Sequence, residues 1–132
     1  MAKEIVLVVG AHPDDEVLGL GGTVARHVHE GDEVHAFILC EGMSLRYPNA
    51  EHDFLLAEAQ AAAAALGVTS LSINGFPDQG LDRYSLTEIA APIEKRVREF
   101  KPTIVYTHWS GDINRDHRLV TEATLVAARC KE

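Results

Sequence analysis

Residues 5–10 read Ile-Val-Leu-Val-Val-Gly, a continuous apolar run closed by glycine. A strand that is apolar at every position has no face to give to water. That is the pattern of a strand buried on both sides, as in a parallel sheet. Working outward, Leu18 to His29 reads as a helix stopped by Gly31-Asp32, and Val34 to Leu39 as a second strand. Residues 52–66 form an Ala-rich helix that ends at Gly67, and Ser70 to Ile73 a third strand. Phe76 to Arg83, with Pro77, Asp78 and Gly80, reads as a loop. Ser85 caps a helix running to about Phe100, and Glu88 three residues on completes a capping box. Pro102 precedes a fourth strand, Thr103 to Thr107, and Arg118 to Arg129 is a last helix. Strands alternating with helices imply parallel β-α-β units with right-handed crossovers. The expected fold is therefore α/β, a Rossmann-like three-layer α/β/α sandwich. Its sheet is mostly parallel with strand order 3-2-1-4, and residues 1–132 make one domain.

Composition narrows the function. A formal charge of -8 argues against general affinity for nucleic-acid phosphates or anionic membranes. No apolar run reaches the length of a transmembrane span, and the N-terminus lacks the ordered regions of a signal peptide. Two distant cysteines, Cys40 and Cys130, suggest neither a disulfide framework nor a zinc knuckle. The expectation is a reducing, cytoplasmic location.

Chemistry concentrates in two places. Ala11-His12-Pro13-Asp14-Asp15-Glu16 follows the first strand directly. Loops at the carboxyl ends of parallel strands are where open α/β sheets bind ligands. One imidazole and three carboxylates there can hold a metal and leave a carboxylate for proton transfer. The bland alternative is a helix-capping loop. The second cluster, Asp112-Ile113-Asn114-Arg115-Asp116-His117, follows the fourth strand. In order 3-2-1-4, strands 1 and 4 are neighbours whose loops diverge at the switch point, so both clusters should meet in one crevice. His27, His29, His35 and His52 read as surface or satisfied residues. His108 ends the fourth strand beside the crevice and is open to a supporting or substrate-contacting role.

The AHPDDE motif after strand 1, joined to Asn114-Arg115-Asp116-His117 downstream, resembles the PIG-L/LmbE-like family of zinc-dependent N-acetylglucosaminyl deacetylases. Gly21-Gly22, Ala-Leu-Gly before strand 3 and Phe-Pro-Asp in the next loop extend the resemblance over nearly the whole chain. It implies His12, Asp15 and His117 as ligands of Zn2+, with another divalent metal such as Fe2+ as the alternative. It implies Asp14 as general base, and Asp116 as the residue orienting a histidine in the second cluster. Asn114 stands where many members have histidine; an amide donates to an oxyanion but delivers no proton. The implied function is removal of an acetyl group from an N-acetyl amino sugar conjugate, a small molecule. Members of that family are longer. A C-terminal part of the family fold is thus expected to be missing, with strand 4 left as an edge and a homo-oligomer as the result.

Substrate residues are less determined. Arg46, after strand 2, either grips an anionic group of the conjugate or is a solvated loop residue. Asp78 either hydrogen-bonds sugar hydroxyls or does not, and Asp112 with His108 borders the pocket. A sugar- or metal-binding domain with weak or no catalysis is the main alternative. A dinucleotide-binding domain is disfavoured because Gly-x-Gly-x-x-Gly is absent and acidic residues occupy the phosphate position. A phosphatase lacks a basic cradle.

Overall fold

The structure is a computed structural model, and it describes residues 2–42 and 52–129. Arg46 and Cys130 lie outside the described residues. Strand β1 (Ile5–Gly10) leads to helix α1 (Asp15–His29), then β2 (Glu33–Cys40), α2 (His52–Leu66) and β3 (Ser70–Phe76). A 3-10 turn at Leu81–Arg83 precedes α3 (Leu86–Phe100), β4 (Ile104–Tyr106) and α4 (Arg115–Ala127). The four strands form one sheet in the order β3-β2-β1-β4, all pairs parallel. Three residues of β4 set its register on β1: Val6 opposite Ile104, Leu7 opposite Val105, and Val8 opposite Tyr106.

The alternation of β1 feeds two cores, because successive side chains in a strand point to opposite faces. Leu7 and Val9 join Phe37, Leu39, Ile89, Ile93, Val120 and Ala123, so α3 and α4 cover that face. Val6 and Val8 join Val24, Val34 and Ala36, with Leu20, Val28 and Leu66 packed against them, so α1 and α2 cover the other. The uninterrupted apolar character of residues 5–10 reflects this double burial. Strands carried to opposite sides of β1, with helices on opposite faces, leave the carboxyl ends of β1 and β4 at the switch point.

Local signals account for the boundaries. The Ser85 Oγ accepts the Glu88 N–H at 3.2 Å, and the Ser85 N–H donates to Glu88 Oε2 at 2.7 Å. That closes the expected capping box. Two helices begin three residues earlier than the sequence suggests, α1 at Asp15 instead of Leu18 and α4 at Arg115 instead of Arg118. The cause is that the acidic loops supply the first turns themselves: the Leu18 N–H reaches Asp14 O at 2.8 Å, and the Arg118 N–H reaches Asn114 O at 3.2 Å. Strand β3 also runs on to Phe76. Among the histidines away from the crevice, His27 sits between Asp32 (2.7 Å) and the Tyr106 hydroxyl (3.0 Å). His35 is buried between Ser70 and Glu33, its ring stacked on Phe100. Both are satisfied structural residues. No helix among the described residues is long and apolar enough to cross a membrane.

Gly67 ends α2 with φ +79, and a Cβ there would come within 2.7 Å of Val28 Cγ1 on α1. Left-handed backbone and close helix approach both demand glycine at this position. Gly67→Ala is expected to cost about 1–3 kcal/mol of stability in urea unfolding. An unchanged midpoint would show that the α1–α2 contact yields without cost.

Candidate active site

The crevice between β1 and β4 brings the two sequence clusters together. His12 leaves the end of β1, Asp15 opens α1, and His117 lies in the first turn of α4. Their donor atoms converge. His12 Nδ1 lies 3.2 Å from His117 Nε2, His117 Nε2 lies 3.2 Å from Asp15 Oδ2, and His12 Nδ1 lies 3.5 Å from Asp15 Oδ2. A tetrahedral ion with bonds of about 2.0–2.2 Å has ligand atoms roughly 3.3–3.6 Å apart, so this triangle has the size of one face of such a site.

The second nitrogen of each imidazole is also engaged, which fixes which nitrogen faces inward. His12 Nε2 donates to Asp116 Oδ2 at 2.8 Å, and His117 Nδ1 donates to Asp112 Oδ2 at 3.0 Å. Histidines that bind metals are typically held in this way by a carboxylate on the far nitrogen. Two other groupings of nearby donors fit less well. One uses Cys40, a fully buried thiol whose ionisation is suppressed by burial and then by the Asp116 charge. The other uses His108, whose Nε2 already accepts the Ala11 N–H at 2.9 Å. The donors present thus fit a divalent cation at His12, Asp15 and His117. Two imidazoles and one carboxylate suit zinc, and they suit ferrous iron as well.

The electrostatics agree with a site built to receive positive charge. Burial disfavours a charged His12, yet the hydrogen bonds to Asp116 and Asp15 outweigh it and push its pKa up to about 9. Burial works against the Asp15 carboxylate too, but the hydrogen bonds from His12 hold it below its ordinary value. His108 behaves oppositely. Burial, then repulsion from His117, pushes it down to about 4, so it is the neutral ring its acceptor role requires. It stacks on His117 at 3.8 Å between centroids. Asp14 occupies the N-cap position of α1 without a side-chain capping bond. Partial burial, then the Asp15 charge, raises its pKa.

Several residues occupy places other than those expected of them. Asp116 is buried at 2% exposure and orients His12 of the first cluster instead of a histidine in the second. Its other oxygen accepts the Leu81 N–H, which leaves that carboxylate no direction but towards His12. The histidine of the second cluster is oriented by Asp112, which also accepts the Asn114 N–H at 2.8 Å. Asn114 caps α4, its Oδ1 accepting the His117 N–H at 3.3 Å and its Nδ2 donating to Gln79 Oε1 at 3.4 Å. Asp78 is buried, its Oδ1 3.3 Å from His12 Nε2 and accepting from the Gln79 amide at 3.4 Å. Gln79 went unnoticed in the sequence. Its φ of 57 is rare for a residue with a side chain, and its amide lies between His12 and Asn114. Nothing in the Phe-Pro-Asp-Gln-Gly string marks it beyond the turn residues themselves.

The chain is thus an α/β protein with a doubly wound sheet and a histidine-carboxylate cluster at its switch point. The PIG-L family model, GlcNAc-PI de-N-acetylase, matches residues 7–128, and the chain belongs to that family. A 1D-myo-inositol 2-acetamido-2-deoxy-alpha-D-glucopyranoside deacetylase of Thermobispora bispora is 33% identical over 137 residues, covering 82% of this chain and 45% of that protein. The solved N,N'-diacetylchitobiose deacetylase of Pyrococcus horikoshii is 25% identical with a TM-score of 0.83, over 94% of this chain and 49% of that one. The 4-carboxy-2-hydroxymuconate hydratase GalB of Pseudomonas putida KT2440 is 26% identical with a TM-score of 0.78, over 94% and 55%. The chain thus spans about half the length of these relatives.

The Asp112 contact can be tested by itself. Asp112→Asn keeps the shape but loses the charge that orients His117, and zinc affinity measured against a competing chelator is expected to fall about 10–100-fold. Unchanged affinity would show that His117 does not depend on Asp112.

Proposed function

We propose that this chain carries the reaction centre of a metal-dependent hydrolase that removes the acetyl group from an N-acetyl amino sugar conjugate. The observation that carries the reading is the triangle of His12, Asp15 and His117 donors, with the Asp14 carboxyl against Asp15 and within electrostatic reach of both imidazoles. Family membership and the deacetylase relatives support the reaction class. His12, Asp15 and His117 would hold zinc or ferrous iron. When bound, such an ion polarises an amide carbonyl and makes water more acidic.

The chain's own residues do the rest. Asp14 accepts a proton from water on its carboxylate as that water adds to the acetamide carbon. The same carboxyl then gives the proton to the departing nitrogen, the C–N bond breaks, and acetate and a free amine result. One group serving as base and then acid removes the need for a second acid, which Asn114 cannot supply. Its raised pKa suits a carboxyl that must carry the proton between the two steps. Asp116 and Asp112 keep the two imidazoles in the required tautomers.

We read residues 1–132 as one domain of cytoplasmic type that associates with itself. The support for association is β4, which pairs with β1 on one side and has no strand partner on the other among the described residues. Light scattering of the 132-residue chain is expected to give a mass above that of a monomer; a strictly monomeric chain would remove this part.

Asp14→Asn is expected to lower acetate release from an N-acetyl sugar panel by about 10²–10⁴-fold while zinc binding persists. Near wild-type turnover would overturn the base assignment. Loss of zinc together with turnover would make Asp14 a ligand. A wild-type chain that binds zinc and sugar but releases no acetate would be a binding domain. One that hydrates an unsaturated acid, as GalB's name describes for that protein, would place it with that relative instead.

A further inference from the structure

Among the described residues, two that are not glycine have positive φ, Gln79 and Lys101. Lys101 closes α3, and a left-handed residue is a common end for a helix. Gln79 stands in the turn 77–80, where the Gly80 N–H donates to Pro77 O at 3.1 Å. Its φ of 57 falls at the third position of that turn, a place where positive φ ordinarily goes with glycine or asparagine. Glycine follows at 80 instead, where a Cβ would come within 2.9 Å of the Pro77 ring. The turn thus needs its glycine at 80 and holds a long side chain in the left-handed region at 79. Strain of that kind persists only where the surroundings hold it.

What holds it is the Gln79 amide. Its Nε2 donates to Asp78 Oδ1 at 3.4 Å, and its Oε1 accepts from Asn114 Nδ2 at 3.4 Å. Nε2 also lies 3.3 Å from His12 Nε2. That imidazole nitrogen gives its proton to Asp116, so the Gln79 amide rests against the edge of the ring. None of these contacts is short, but together they join one planar group to three neighbours.

The two ends of this link reach the two imidazoles of the triangle. Asn114 Oδ1 accepts the His117 N–H at 3.3 Å, so the place of Asn114 sets the first turn of α4. On the other side, the same turn brings Asp78 Oδ1 within 3.3 Å of His12 Nε2. A shift of Gln79 would alter the separation of the two rings, now 3.2 Å between His12 Nδ1 and His117 Nε2. Such a change moves the ligand atoms off the spacing that one ion requires.

We propose that Gln79 is a positioning residue that fixes the separation of His12 and His117, and that the left-handed backbone at 79 is kept for the sake of this amide.

Two variants separate this role from that of a turn residue. Gln79→Gly relieves the backbone and removes the amide. Gln79→Met keeps the strained backbone and the length but makes neither hydrogen bond. In urea, the metal-free glycine variant is expected to unfold at the wild-type midpoint or above it, and the methionine variant below it. Zinc affinity, read against a competing chelator, should fall about 10-fold in both. Affinity that follows stability, unchanged in the glycine variant and weaker in the methionine variant, would make Gln79 a turn residue only and overturn the proposal. Wild-type affinity in both would do the same. The zinc measurement rests on the reading of these histidines as metal ligands; a second measurement does not. In the metal-free chain, hydrogen exchange at the His117 N–H is expected to be faster in both variants, while the Glu88 N–H, capped in the same way in α3, keeps its rate. A wild-type chain that binds no zinc but shows this pattern would defeat the metal reading and leave the positioning role standing. An unchanged His117 rate would overturn the positioning role.

Discussion

The contact on which this site depends is the hydrogen bond between the buried Asp116 carboxylate and His12 Nε2. A carboxylate at 2% exposure is costly unless it is paired on both oxygens. Asp116 meets that demand with one partner from the 3-10 turn, the Leu81 N–H, and one from the loop after β1. Three segments distant in sequence are thereby tied to one side chain. Removing either partner would leave a charge in the core, so the arrangement is held by penalty as much as by attraction. The consequence at the surface is an imidazole with only one nitrogen free, and that nitrogen faces Asp15 and His117.

The pairing of β1 with β4 is what permits that bond. Only three residue pairs join the strands, yet they bring the end of β1 beside the loop that carries His117. His108 reinforces the junction from behind, accepting the Ala11 N–H and stacking on His117. The fold itself leaves the chemistry open, as a hydratase on a related framework illustrates. What separates one activity from another lies in the side chains placed at this junction.

The strand order was legible because the apolar run at 5–10, the glycine stops and the alternation of elements each permit few alternatives. Once the order was set, the meeting of His12 and His117 followed from topology. The partners of the two imidazoles were not legible. Asp112 and Asp116 are both near His117 in sequence, and only the turn of α4 decides that one faces His117 and the other faces His12. Asn114 carries a readable local signal of its own. Asparagine three residues before the His117 amide is a helix-capping position, and the structure uses it as one. The early starts of α1 and α4 have the same origin: acidic residues read as loop ligands also form first turns.

Those early starts have an electrical consequence. α1 begins at Asp15 and α4 at Arg115, so two helices place their N-terminal ends at the same crevice. Each such end behaves as roughly half a positive charge. Together they offset about one of the negative charges gathered there, without spending a lysine or arginine on it. The crevice is therefore less hostile to an anion than its side chains suggest. An anionic group entering the crevice would meet backbone dipoles as well as acidic side chains.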